Sequence, residues 1–97
     1  MTKDNTERLN EIELEYVHYM PKKLEHGILY VSKEFGCAQH LCACGCNNKV
    51  HTPIDGAYKW DFTDNEGKAT LHPSIGSFQI PCKSHYIIKD GKINWCK

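Results

Sequence analysis

A chain of 97 residues accommodates one domain and not two, and its core must be thin because small chains bury a smaller share of their surface. Lysine plus arginine (12) balance aspartate plus glutamate (12), and the basic residues are scattered, which argues against a broad nucleic-acid or membrane footprint. Six cysteines and six histidines are many for this length, and no stretch approaches the apolar length of a membrane span.

The opening Met1-Thr2-Lys3-Asp4-Asn5 leads into charged residues with no apolar run behind them, so no secretory signal is expected. The expected compartment is the reducing cytoplasm, where cysteines serve more often as metal ligands or catalysts than in disulfides. Leu9, Ile12, Tyr16 and Tyr19 fall at helical spacing with acids between them, which predicts a short amphipathic helix closed by Pro21. The expected organisation is an N-terminal helical extension over residues 1–19, dispensable for the fold, followed by a zinc-binding β-rich domain over residues 20–97.

From residue 27 the pattern is β. Gly27-Ile28-Leu29-Tyr30-Val31-Ser32 reads as a strand, and Lys49-Val50-His51-Thr52-Pro53-Ile54 as a second, ended by Asp55-Gly56. Tyr58–Thr63 alternates large apolar and polar residues, Asp64-Asn65-Glu66-Gly67 is a turn, and Lys68–His72 returns as a strand. His85–Lys89 and Lys92–Trp95 flank Asp90-Gly91, the favoured pair for a two-residue hairpin turn. The expected fold is a small β-rich (α+β) single domain, stabilised by zinc, with the helical extension at one end and a β-hairpin at the other.

The segment His40-Leu41-Cys42-Ala43-Cys44-Gly45-Cys46 places four metal-ligand types at alternate positions. A straight strand would space them about 7 Å apart at each step, whereas tetrahedral zinc wants sulfurs about 3.8 Å from one another. The chain must therefore bend within the motif, and Gly45 is where it can do so cheaply. Cys82-Lys83-Ser84-His85 supplies a second half-site just before the terminal hairpin. The expected zinc shell is Cys42, Cys44, Cys46 and Cys82, with His40 or His85 as the alternatives to one of the cysteines. Zinc bound there would add folding free energy that so small a core lacks. Cys37 and Cys96 stand apart.

A second cluster is Leu71-His72-Pro73-Ser74-Ile75-Gly76. Pro73 and Gly76 bracket an apparent turn carrying Ser74. On residue chemistry alone the simpler reading is a turn whose serine caps backbone groups. The other is a nucleophile whose proton goes to His72, His85 or His40.

These motifs together resemble the BubE-like family, small Cys/His-rich proteins of bacterial ubiquitin-like conjugation operons. The resemblance runs over residues 20–95: Gly27–Ser32, His40–Cys46, Val50 with Thr52-Pro53, Leu71–Gly76, Pro81–Tyr86 and Gly91–Trp95. It implies a serine-type peptidase that processes or deconjugates a ubiquitin-like protein, with E1- and E2-like enzymes as neighbours. Carried over, it makes Ser74 the nucleophile, His85 or His72 the base, and Cys42, Cys44, Cys46 and Cys82 a structural zinc shell. Two other readings compete: a non-catalytic zinc module that binds such a protein or its ligases, and a hydrolase whose zinc activates water. The absence of an H-E-x-x-H pattern weakens the last.

Overall fold

The computed structural model describes residues 9–45, 48–56, 59–76 and 85–95. Their elements are strands: β1 (Glu13–Tyr16), β2 (Ile28–Ser32), β3 (Cys37–Leu41), β4 (Lys49–Pro53), β5 (Asp61–Asn65), β6 (Lys68–Gly76), β7 (His85–Lys89) and β8 (Lys92–Trp95). They form two four-stranded sheets, ordered β1-β2-β3-β4 and β5-β6-β7-β8. All described structure is β, which overturns the α+β class and the N-terminal helical extension.

The reason lies in Glu11-Ile12-Glu13-Leu14-Glu15-Tyr16, where acid and apolar residues alternate strictly. Of the four residues at helical spacing only Ile12 and Tyr16 share this period of two, and tertiary pairing decides between the two patterns. β1 lies parallel to β2, with Glu13 opposite Ile28 and Tyr16 opposite Val31. Ile12 is buried and Leu14 packs against the core, while the three glutamates stay on the outer face. The segment before β1 crosses to the other sheet. Ile12 N–H donates to the Gly91 carbonyl at 2.9 Å, and Asn10 accepts from Ile93 N–H at 2.9 Å. The Trp95 indole N–H donates to the Leu9 carbonyl at 3.0 Å. Residues 9–16 thus join one sheet by pairing and the other by these bonds.

One core fills the space between the sheets. Leu29, Val31 and Ala38 come from the first, Leu71, Ile75, Tyr86, Ile88 and Ile93 from the second, and Ile12, Cys42 and Ala43 from the connecting segments. The last hairpin turns on Asp90-Gly91 and the β5–β6 hairpin on Glu66-Gly67. All four residues have positive φ, the type I′ geometry that matches strand twist.

Ile12 anchors the N-terminal strand in that core. Ile12→Ala is expected to lower stability by about 2–5 kcal/mol, the usual cost of emptying a buried isoleucine site. An unchanged denaturation midpoint would contradict the burial of this residue.

Candidate active site

β6 does not end at His72, and Pro73–Gly76 is not a turn: the strand runs on to Gly76. Its pairing with β7 slips on the way. Leu71 faces Ile88 and Ile75 faces Tyr86, so residues 72, 73 and 74 span the place of Ile87 alone. Pro73 has no N–H for a ladder, and bulges are where strands accommodate proline. Ser74 therefore stands on a bulge in a central strand. The Trp60 indole N–H reaches its carbonyl at 3.4 Å.

Beyond the bulge the register is regular, with Ile75 opposite Tyr86 and Gly76 opposite His85. Ile75 and Tyr86 point into the core, so by alternation their neighbours Ser74 and His85 share the other face. There the Ser74 hydroxyl and His85 Nε2 lie 2.7 Å apart, both half-buried. This is the separation at which an imidazole can take a hydroxyl proton. His72, the other proposed base, is exposed, stands opposite Asp61 on β5 and has no hydrogen bond to Ser74.

The cysteine loop bends after β3. After β3, Cys42 N–H donates to the Asn48 carbonyl at 2.8 Å and Gly45 N–H returns to the Cys42 carbonyl at 3.1 Å. Gly45 sits at φ 95°, which a side chain would strain. The bend brings the Cys42 and Cys44 sulfurs to 3.5 Å, close to the edge of about 3.8 Å implied by Zn–S bonds in a zinc tetrahedron. Those two residues therefore fit as two corners of a thiolate site. Cys46 and Cys82 lie outside the described residues. Among the described residues, no three His, Cys, Asp or Glu side chains come together as a metal-holding group.

The loop and the serine site meet at Tyr86. Its hydroxyl accepts from Ala43 N–H at 3.3 Å and lies 2.8 Å from His40 Nε2. Burial is the main influence pushing this hydroxyl's pKa far up, with the neighbouring Cys42 and Cys44 adding to it. His40 is wholly buried. Its pKa falls to about 4, first through desolvation and then through the nearby charge of His26, so the ring is neutral at physiological pH. Tyr86 and Trp60 are absent from the sequence-derived site. An alternating strand pattern reads both as core aromatics and is silent about where their polar tips go.

Over residues 16–96 the chain matches the family model described as bacterial ubiquitination-like system serine protease (BubE). The chain belongs to the BubE family. The match spans nearly all of the sequence, strands β2 to β8 included. No curated protein and no solved structure matched the chain in the parallel comparisons. A serine protease requires a serine with a base, and Ser74 is the serine paired with an imidazole among the described residues.

The neutral, buried His40 gives stability a pH dependence. Its folded pKa lies below its unfolded value of about 6.5, so the unfolded chain binds the extra proton. The contribution is fully present above about pH 6.5 and is lost as pH falls toward 4, a loss of about 3 kcal/mol at most. Urea midpoints measured across this window should fall more steeply for the wild type than for His40→Gln. Parallel slopes would show that His40 ionises freely in the fold.

Proposed function

We propose that this protein is a serine-type peptidase that processes or deconjugates a bacterial ubiquitin-like protein, with Ser74 as nucleophile and His85 as general base. The observation that carries this reading is the 2.7 Å contact between the Ser74 hydroxyl and His85 Nε2 in a chain of the BubE family. In the reaction, His85 Nε2 takes the hydroxyl proton as Ser74 Oγ attacks the carbonyl carbon of the scissile bond. The tetrahedral intermediate collapses when the imidazolium returns that proton to the departing amine. Water, deprotonated by His85, then releases the acyl group from Ser74.

In the same reading Cys42, Cys44, Cys46 and Cys82 hold one zinc ion. The approach of the Cys42 and Cys44 sulfurs supports it. Zinc bound there would supply folding free energy and brace the loop, a structural role. The working compartment is the cytoplasm, alongside the E1- and E2-like enzymes of the conjugation system.

Two measurements test these assignments. Incubation with a ubiquitin-like protein carrying a C-terminal extension should yield the trimmed product. Ser74→Ala and His85→Gln should each lower the rate at least a hundredfold while the protein stays folded. Full activity of Ser74→Ala would remove this serine from the mechanism, and an inert wild type would favour a binding module. Separately, elemental analysis of protein purified without chelators should find about one zinc per chain, and Cys44→Ala should lower the melting temperature sharply. Metal-free protein of unchanged stability would exclude the zinc shell.

A further inference from the structure

The bulge raises a question of precision. Ser74 sits where the β6–β7 ladder has slipped, so regular pairing does not fix it over residues 72–74. Yet a serine–histidine pair loses most of its value when either member moves by an ångström. Something beyond the ladder must hold Ser74 against His85.

The cross-strand pair Ile75–Tyr86 is the one that resumes the register, and it is flanked by both reacting residues: Ser74 precedes Ile75 and His85 precedes Tyr86. Tyr86 is fully buried, its ring packs on Trp95 at 5.0 Å between centroids, and its hydroxyl meets Ala43 N–H and His40 Nε2. Those two partners come from the cysteine loop and from β3, both tied to the opposite sheet. The ring and the hydroxyl together leave the Tyr86 backbone one position.

We propose that Tyr86 is a positioning residue of the peptidase: its hydroxyl pins β7 to the Cys42–Gly45 loop and thereby keeps His85 at hydrogen-bond distance from Ser74. This rests on the peptidase reading above. It also gives the cysteine loop a bearing on the reaction without contact with the substrate, because movement of Ala43 is passed to the residue next to His85.

The test compares Tyr86→Phe with Thr52→Val in the full chain. Thr52 is an equally buried residue whose hydroxyl donates to the Ala38 carbonyl at 3.2 Å, on the β3–β4 pair and outside the proposed machinery. Cleavage of the C-terminally extended ubiquitin-like protein is measured well below both melting temperatures. Tyr86→Phe should lower kcat at least tenfold with KM within twofold, whereas Thr52→Val should leave kcat unchanged. A second readout needs no substrate. In histidine-labelled protein the His85 Nε2 nitrogen shift of Tyr86→Phe should move toward its value in Ser74→Ala, and that of Thr52→Val should not. If Tyr86→Phe fails to fold, His40→Gln, which removes one partner of the hydroxyl, replaces it. Equal kcat and equal shifts in the tyrosine and threonine variants would overturn the proposal, as would a tenfold loss in both. A wild type that cleaves nothing while the nitrogen shift still moves would sink the peptidase reading and leave the positioning intact.

Discussion

The hydroxyl of Tyr86 lies where the two sheets meet, out of reach of water, and burial of such a group is costly unless hydrogen bonds replace those it loses. Ala43 N–H, His40 Nε2 and the Cys42 side chain are those replacements, and all three belong to the segment that runs from β3 into the cysteine loop. The requirement to satisfy one buried oxygen therefore sets how β7 docks on the opposite sheet. His40 is held neutral by the same burial, and the loop behind it is held in place by its own backbone bonds. In a domain with so few core residues, a misplaced β7 would disturb the core and the site together.

The site is economical in its means. A proline that cannot join a ladder forces a bulge, the bulge turns Ser74 out of the core, and the strand period places His85 beside it on the same face. No special backbone strain is needed at the serine. The Trp60 indole N–H donates to the Ser74 carbonyl from the β5 side, so the bulge is supported on both flanks. Ser74 and His85, the proposed nucleophile and base, come from adjacent strands of one sheet, and the cysteine loop follows a strand of the other.

Much of the second sheet is legible in the sequence, because hairpins are local. Asp90-Gly91 and Glu66-Gly67 announce their turns through residue type, and the flanking alternation sets the faces. The N-terminal segment misleads because Leu9, Ile12, Tyr16 and Tyr19 suit a helix, while the shorter alternation from Glu11 to Tyr16 suits a strand. Only pairing with β2, formed across a sequence gap, selects the strand. β3 is hidden for another reason: its last residues, His40-Leu41, open the ligand motif His40–Cys46, although buried and half-buried positions alternate along the whole of Cys37–Leu41. The bend at Gly45 follows from ligand geometry alone. The meeting of Ser74 with His85 does not, since eleven positions separate them and a register slip brings them together; family resemblance points to Ser74 with His85 or His72 and leaves the choice open.

The claim that Ser74 is a hydroxyl activated by His85 is tested most directly by covalent labelling. A fluorophosphonate reacts with serines whose proton a neighbouring base removes, and mass spectrometry locates the adduct. Stoichiometric modification is expected at Ser74 in the wild-type protein and its loss in His85→Gln, with the β-sheet circular dichroism signal of the two proteins alike. Modification at another serine, or undiminished labelling of Ser74 in His85→Gln, would contradict it.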